Sequence, residues 1–334
     1  MTLPIDAAQR PCVCCTGLAS RHFVAREMQY GSRETFGYRE CTDCGSLQID
    51  SVPPDLERHY RHDKYASWRP LPAYLDKPIG AAGRWLRAQR ARHLITGRSQ
   101  VGALVHKLLG PPEMPDPGTW AWLRAAGAGP SSRIFDFGCG TGELLRYLRL
   151  SGFSQLVGHD KFSGCSLNLP GLHLGPEMPD PAARFDLVMA HHSVEHLPDP
   201  AATLVLLARH LAPGGMLLVR VPVAQTHAWR TYGPDWIQLD APRHLFIPSR
   251  RGMDALAACC GLQVQQVYFD SGNFQFLGSE QYRQDIPMFG DSRSYFDGDT
   301  TRFTREQARA WAQQAQQLNA AQDGDQACFF LRAA

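Results

Sequence analysis

The chain has 334 residues, of which 44% are hydrophobic and 20% charged, so it can bury a core and extended disorder is excluded. Its 34 Lys and Arg residues against 32 Asp and Glu residues leave a net charge of +2, too balanced for a general polyanion-binding protein. The first residues lack the apolar segment of a signal peptide, and no apolar run is long enough to cross a membrane. We therefore expect a cytoplasmic protein whose ten cysteines are reduced.

Four cysteines near the N-terminus are grouped in two C-x-x-C pairs. Cys12 and Cys15 form the first pair, and Cys41 and Cys44 form the second, with the 25 residues 16–40 between them. Two such pairs can supply four thiolates to a tetrahedral zinc ion, and a closed four-sulfur site leaves no position for a reacting water. We predict a structural zinc ion in a ribbon module over residues 1–56. Cys14 is an alternative ligand, and four unconnected free cysteines are the simpler alternative.

Residues 57–130 are predicted to form a helical, basic linker. Gly97 and Gly102 are expected to divide it into two helices. The simplest interpretation is a solvated helix face; the functional alternatives are a grip on a phosphorylated acceptor and peripheral contact with an anionic membrane surface. Between residues 81 and 110 the segment carries six basic side chains and no acidic one: Arg84, Arg87, Arg90, Arg92, Arg98 and Lys107.

From residue 131 to 334 the pattern alternates between strands and helices. This alternation predicts an α/β fold with a doubly wound, mostly parallel sheet and an antiparallel hairpin at one edge. In the insertion at 271–326, Thr304 and Gln307 predict a capping box at the start of a further helix. Predicted strands cover 134–137, 156–159, 172–174, 185–190, 216–221, 263–269 and 327–332, and predicted helices cover 143–150, 201–211 and 250–260.

A glycine-rich turn follows the first of these strands. Glycines allow a ligand to approach the backbone closely, and the N-terminus of the following helix offers free N–H groups to an anion. The spacing is G-x-G-x-G, at Gly138, Gly140 and Gly142, and Glu143 occupies the third glycine position of a dinucleotide fingerprint, which argues against NAD or FAD. Asp160, at the end of the second strand, can accept hydrogen bonds from both hydroxyls of a ribose. The alternative is a tight turn with a solvent-facing Asp160.

Together with segments 133–142, 185–188, 194–200 and 211–215, these features resemble the class I S-adenosylmethionine-dependent methyltransferases over roughly residues 131–334. The resemblance implies a seven-stranded Rossmann-like sheet that binds the cofactor at the C-terminal strand ends. It also implies that the helical segment within 57–130, before the first strand, serves as a lid over the cofactor pocket. It also places an adenine contact in segment 175–180, although the usual Gly-Asp pair is missing there. The implied cofactor-binding residues are Asp136, Gly138, Cys139, Gly140, Gly142, Asp160, Lys161, His191 and His192.

Segments 233–236 and 240–245 resemble a subgroup of these enzymes that is associated with sugar and polysaccharide modification, and Tyr60 and Tyr65 fit that subgroup too. The expected acceptor is a sugar hydroxyl, on a small molecule or on a nucleotide- or lipid-linked sugar that carries phosphate.

Transfer to a hydroxyl requires removal of a proton, for which histidine is suited near neutral pH. His244 is the first candidate, with Asp240 and Arg243 as neighbours that could orient it. His192 is the second candidate, and catalysis by proximity alone is the third alternative. His196 is expected to be structural and to hold the loop that follows it.

Two rival functions have less support. An RNA methyltransferase with a zinc ribbon would favour a more basic chain and an Asn-Pro-Pro-Tyr-like sequence after the fourth strand, where this chain has residues 191–194, His-His-Ser-Val. We therefore expect no nucleic-acid partner. A non-catalytic cofactor-binding scaffold is disfavoured because the glycines and Asp160 are intact.

Overall fold

The computed structural model describes residues 10–60 and 71–334, so Tyr65 lies outside the described residues. The N-terminal part contains three antiparallel strands: β1 (Ser20–Arg26), β2 (Thr35–Cys41) and β3 (Leu47–Ile49). A fourth strand, β10 (Phe246–Ile247), comes from much later in the chain and pairs with β3, with Phe246 opposite Gln48 and Ile247 opposite Leu47. The N-terminal sheet is therefore completed by the segment that directly follows His244.

The central sheet has eight strands in the order β11-β12-β9-β8-β4-β5-β7-β6. The five strands from β9 to β7 are parallel, whereas β12 is antiparallel to both β9 and β11 and forms the predicted edge hairpin. Their bounds are β4 (Ile134–Phe137), β5 (Leu156–His159), β6 (Leu167–Leu169), β7 (Leu172–Gly175), β8 (Phe185–His191), β9 (Leu211–Pro222), β11 (Leu262–Phe269) and β12 (Gln326–Ala333). The α/β Rossmann-like fold class is confirmed. The expected seven strands become eight, because the three-residue antiparallel β6 extends the sheet past β7.

Helices precede and separate these strands. Two glycines of the basic segment, Gly97 and Gly102, have different roles. Gly97, at φ +70°, ends the first helix of the basic segment, as predicted. Gly102 lies inside the second, where an added Cβ would stand 2.0 Å from the backbone oxygen of Gln89. Gly102 therefore permits close packing of two helices and does not separate them. The helices are α1 (Ala81–Thr96), α2 (Gln100–Leu109), α3 (Thr119–Ala126), α4 (Glu143–Leu150), α5 (Pro200–Arg209), α6 (His227–Tyr232), α7 (Arg250–Cys259), α8 (Phe274–Arg283) and α9 (Arg305–Ala320).

Successive residues of the central strands point to opposite faces, and both faces are buried. Phe135 and Phe329 lie in one apolar core, whereas their neighbours Ile134 and Phe330 lie in another. This two-sided burial explains why the strands are continuous apolar runs. In residues 10–60 and 71–334, no helix has both the length and the apolar character needed to cross a bilayer. The predicted capping box of α9 is present, with Thr304 and Gln307 each bonded to the other's backbone N–H.

A third core joins the N-terminal sheet to the C-terminal half of the chain. Tyr38 of β2 packs there with Trp236 and Phe276, the latter from the insertion. The insertion also makes polar contact with the N-terminal sheet, since Arg26 and Arg33 both pair with Asp285. The N-terminal module thus shares a sheet and a core with later residues, although its predicted boundaries stay a prediction.

Candidate active site

The glycine-rich turn lies between β4 and α4, as the sequence predicts. Gly138 and Gly142 have φ values of +72° and +76°, a region that favours glycine. A Cβ at Gly138 would stand 2.3 Å from Ser193 Oγ, and one at Gly142 would stand 2.3 Å from Leu174 Cδ1. Ser193 Oγ also donates to the Phe137 carbonyl at 3.1 Å, so the segment after β8 is attached directly to the turn. Side chains larger than glycine would push these elements apart.

Asp160 lies at the end of β5 and is held against the glycine turn. Its Oδ2 accepts from the Gly140 N–H at 2.9 Å, and its Oδ1 accepts from the Phe162 and Ser163 N–H groups at 2.8 and 2.7 Å. A carboxylate has about four acceptor positions, so room remains for a ligand hydroxyl. Asp160 is half-buried, and its bonds to Phe162 and Ser163 are also those of a tight turn, so the ribose contact stays a prediction.

Asp136, at the end of β4, is buried beside Asp160. Burial, and secondarily the Asp160 charge, raises the pKa of Asp136 to about 8. Its Oδ1 has no hydrogen-bond partner among the described residues. A buried carboxyl group with an unpaired oxygen is costly unless a ligand supplies a donor or a positive charge. Asp136 is therefore suited to face the cationic end of a bound cofactor.

Two other residues of the predicted cofactor site flank this turn. Cys139 lies within it, and burial raises the pKa of its thiol above the usual range. Lys161 is exposed, with Nζ 5.8 Å from the centre of the Phe162 ring, which is itself 62% exposed. The predicted adenine segment begins beside them, because the Asp160 N–H donates to the Gly175 carbonyl at 3.1 Å.

The end of β8 carries His191 and His192, which point in different directions. His191 packs on the Trp122 ring of α3 at 5.1 Å, and burial beside the Arg220 cation lowers its pKa well below the usual value. His192 has φ +48°, and its side chain is 33% exposed. Its Nδ1 donates to Glu195 Oε1 at 3.2 Å. Of the two, His192 has the carboxylate partner and the solvent access of a general base.

Glu195 is fully buried behind His192. Burial would raise the pKa of its carboxyl, but the hydrogen bond and the charge of His192 lower it overall. His196 follows, and burial beside His244 lowers the pKa of its imidazole to about 4. The His196 and His244 rings meet edge to face at 4.7 Å. His196 Nδ1 also donates to the Arg243 carbonyl at 3.0 Å, which fits the expectation that it holds a loop.

His244 is only 6% exposed and belongs to a buried polar network. Its Nδ1 donates to the Gln238 carbonyl at 2.8 Å, and its Nε2 lies 3.9 Å from Asp240 Oδ2. Asp240 is bonded more closely to Arg243, whose Nε lies 3.0 Å from Oδ2. The Arg243 charge outweighs burial and lowers the pKa of Asp240. His244 and Asp240 are thus brought together as predicted, but inside the protein.

Arg243 also connects this network to the N-terminal module. The guanidinium, which is fully buried, donates from Nη2 to Glu27 Oε1 at 3.0 Å and from Nη1 to the His59 carbonyl at 3.0 Å. Glu27, in turn, accepts from the backbone N–H groups of Tyr30 and Ser32. The sequence analysis missed Glu27, and nothing in the sequence around it signals a partner 216 residues away.

The segment before α1 lies close to the glycine turn. Arg146 of α4 donates to the Thr141 carbonyl at 3.1 Å and pairs with Asp76. Arg149 donates to the carbonyls of Leu75 and Lys77. The position of residues 73–77 beside the turn is compatible with the predicted lid. Two basic side chains of α1 are already bonded within the protein: Arg87 donates to the Leu150 carbonyl and Arg90 donates to the Gly110 carbonyl.

The four predicted zinc ligands form one cluster. The Sγ atoms all lie within 4.8 Å of one another in the group Cys12, Cys15, Cys41 and Cys44. The Sγ–Sγ distance is 3.6 Å both for Cys12–Cys44 and for Cys15–Cys41. A tetrahedron with Zn–S bonds of about 2.3 Å has edges of about 3.8 Å, so these thiols fit a zinc ion. Cys14 is buried but is not part of this cluster.

The two cysteine pairs have the same backbone turn. The Thr16 N–H donates to the Cys12 carbonyl, and the Gly45 N–H donates to the Cys41 carbonyl. Thr16 and Gly45 both have positive φ, at +61° and +78°. Burial and neighbouring thiols raise the pKa of Cys15 to about 11, so without a cation the cluster resists ionisation. The two C-x-x-C pairs therefore have matching backbone turns on either side of the cluster.

Comparisons with known proteins find similarity to methyltransferases. A family profile described as "Methyltransferase domain" matches residues 92–267. The chain is 33% identical to trans-aconitate 2-methyltransferase from Deinococcus radiodurans over 107 residues, which cover 30% of this chain and 41% of that protein. It is 35% identical to ubiquinone biosynthesis O-methyltransferase from Bradyrhizobium sp. over 98 residues, covering 26% and 38%. The matched regions thus span about two fifths of each relative.

Solved structures also align with this chain at low identity. A putative sarcosine dimethylglycine methyltransferase from Galdieria sulphuraria is 15% identical and has a TM-score of 0.41, covering 71% of this chain and 89% of that protein. An S-adenosylmethionine-dependent methyltransferase from Geobacter sulfurreducens, in complex with S-adenosyl-L-homocysteine, is 15% identical with a TM-score of 0.37, covering 69% and 96%.

Proposed function

The chain belongs to the methyltransferase-domain family, and from this premise we propose that it transfers a methyl group from S-adenosylmethionine to a small-molecule acceptor. The observation that supports this proposal best is the turn between β4 and α4, where Gly138 and Gly142 leave the backbone open and Asp160 is bonded to the Gly140 N–H. Asp160 would bind the ribose, and Asp136 would face the cationic methionine end. The proposed cofactor pocket is completed by His191, Cys139 and Lys161.

The proposed base is His192. Its Nδ1 is bonded to the buried Glu195, which leaves Nε2 to accept the proton of an acceptor hydroxyl. Glu195 fixes the imidazole orientation, as the carboxylate does in a catalytic triad. His244, the first candidate from the sequence, has its Nδ1 bonded to a carbonyl and is almost fully buried, so we propose it, with Asp240, as a positioning residue.

For the acceptor we propose a sugar hydroxyl, on a nucleotide- or lipid-linked sugar. The support is the motif at 233–236 and 240–245, together with exposed basic side chains on α1 and α2 that would attract phosphate. The two curated relatives are named for trans-aconitate and for ubiquinone biosynthesis, so acids and phenols are the other small molecules to test.

We also propose a structural zinc ion bound by Cys12, Cys15, Cys41 and Cys44. When bound, the ion would crosslink the two cysteine turns. The cluster is attached to the start of α7, because Ser249, the N-cap of α7, donates to the Cys44 carbonyl. Zinc would therefore also stabilise the chain that follows His244.

The function is tested by calorimetric titration with S-adenosylmethionine and by transfer of a labelled methyl group to a panel of nucleotide-sugars, organic acids and phenols. His192→Gln should lower kcat by about 100-fold or more while the Kd for the cofactor is unchanged, because base catalysis contributes about 10²–10⁴ in rate. His173→Gln, at an exposed position on β7, is the matched control. Absence of saturable cofactor binding contradicts the function, and a wild-type kcat in H192Q contradicts the base.

A further inference from the structure

Three side chains converge behind His192 from two distant parts of the chain. Glu195 and His196 follow β8, and His244 precedes β10. One ligand atom from each of the three lies within 4.8 Å of the other two. The two segments are joined at this point, because the Leu245 N–H donates to the Glu195 carbonyl at 2.8 Å. The cluster is therefore a fixed part of the fold.

Both histidines are held with Nδ1 as the donor. His244 Nδ1 lies 2.8 Å from the Gln238 carbonyl, and His196 Nδ1 lies 3.0 Å from the Arg243 carbonyl. A carbonyl can only accept, so these bonds assign the proton to Nδ1 of His244 and also to Nδ1 of His196, for which the Tyr60 hydroxyl oxygen, 3.1 Å away, serves as a second acceptor; each Nε2 then keeps its lone pair. Metal-binding histidines are oriented in the same way, by a hydrogen bond from the second ring nitrogen. The buried His244 and the half-buried His196 thus both have an Nε2 lone pair available to bind a cation.

Glu195 supplies the negative charge that such a cation requires. Its side chain is fully buried, and Oε1 is occupied by His192. Oε2 is also buried and has no hydrogen-bond partner among residues 10–60 and 71–334. Leaving a buried carboxylate oxygen unpaired is unfavourable, and a bound cation would remove that cost. Asp240 Oδ2, 3.9 Å from His244 Nε2, adds a second anionic oxygen nearby.

We propose that Glu195, His196 and His244 bind a divalent transition-metal ion. Two imidazoles and one carboxylate favour Zn²⁺, Fe²⁺, Co²⁺ or Mn²⁺ over the oxygen-preferring Ca²⁺. Glu195 would then join the metal to His192, to which its Oε1 is already bonded. This inference rests on the proposed function, because the metal would fix the carboxylate that orients the proposed base.

The test counts metal ions per chain, so it does not depend on turnover. Purified protein is dialysed against Co²⁺, and bound metal is measured by mass spectrometry together with the visible absorption of Co²⁺. We expect two ions in the wild type, one at the cysteine cluster with a sulfur-to-metal charge-transfer band and one with oxygen–nitrogen ligand-field bands. His196→Gln/His244→Gln and Glu195→Gln should each lose only the second ion and its bands.

The matched control is His93→Gln/His106→Gln, a second pair of histidines in ring contact, at 5.8 Å, that lies outside the two metal-ligand clusters of the described chain. This control should retain both ions. If the double variant unfolds by circular dichroism, the near-isosteric E195Q variant decides the result. A single ion bound at the cysteines of the folded wild type overturns the proposal.

Failure of the metal site and failure of the proposed function give different results. If the cofactor binds by calorimetry but the second ion is absent, the methyltransferase proposal stands and the metal proposal is wrong. If the second ion binds but the cofactor does not, the metal site stands and its suggested role in methyl transfer falls.

Discussion

Replacement of Arg243 by methionine should strongly destabilise the fold. The guanidinium is fully buried and bonds two carboxylates, Glu27 and Asp240, of which Glu27 is 1% exposed. Removing one partner of a buried ion pair costs about 3–5 kcal/mol, out of a total stability of about 5–15 kcal/mol for a typical protein. Glu27 would keep its bonds from Ser32, whereas Asp240 would retain, within the described chain, the His244 imidazole at 3.9 Å. Most of the cost therefore falls on Asp240.

The assay is urea unfolding of R243M, of D240N/R243M and of the wild type, followed by circular dichroism. The double variant should recover part of the lost unfolding free energy. The amide at position 240 is neutral, so no charge would stay buried without a partner. Arg250→Met is the matched control, because Arg250 and Asp254 form an exposed pair on α7 with side chains 44% and 47% exposed. Exposed pairs contribute little. An R243M unfolding midpoint equal to that of R250M would refute the argument.

Two further predictions follow from local geometry. Gly102→Ala should destabilise the protein by about 1–3 kcal/mol, because its Cβ would stand 2.0 Å from the Gln89 carbonyl; Gly83→Ala, in α1 with space around it, should stabilise by about 0.5–1 kcal/mol. Equal effects in thermal unfolding would contradict the packing argument. Asp136→Asn should remove one component of the pH dependence of stability: with a folded pKa of about 8 against 3.8 unfolded, Asp136 keeps a proton in the folded state that the unfolded state has lost, so wild-type stability relative to D136N should fall as pH rises from about 4 to 8. The change is at most about 1.4 kcal/mol per pH unit, and parallel urea midpoints across this range would show that Asp136 is already ionised.

The central sheet was predictable because its elements are specified locally. The run 134–137 with its glycine turn, and the following α4, appear where the sequence places them, since an apolar run, glycines at positive φ and a helical pattern are all short-range signals. Strand β10 was not predicted, because two residues cannot show a period and its partner β3 lies about 200 positions earlier. The Leu-Asn-Leu strand β6 is missed for the same reason of length.

In the candidate site too, the parts made of nearby residues were predictable and those made of distant residues were not. The cysteine cluster and the glycine turn are made of nearby residues, so the spacing alone brought Cys12 and Cys15 together. The network around His244 depends on contacts between distant segments: Tyr38 donates to the His244 carbonyl from 206 residues away, and Arg243 reaches Glu27 from 216. From the sequence His244 could be identified as a notable residue, but its burial could not be predicted. His192 became the first candidate for the base only because the structure shows its hydrogen bond to Glu195.

Completion of the N-terminal sheet by β10 has a consequence for biosynthesis. Ser46 accepts from the backbone N–H of Ser249, 203 residues later, so β1, β2 and β3 are synthesised long before the strand that covers their edge. During that delay β3 exposes an unpaired edge, a state that invites aggregation. The four cysteines of the cluster, the last of which is Cys44, are synthesised well before β10. Early binding of a metal ion by them would stabilise the nascent module until β10 pairs with β3.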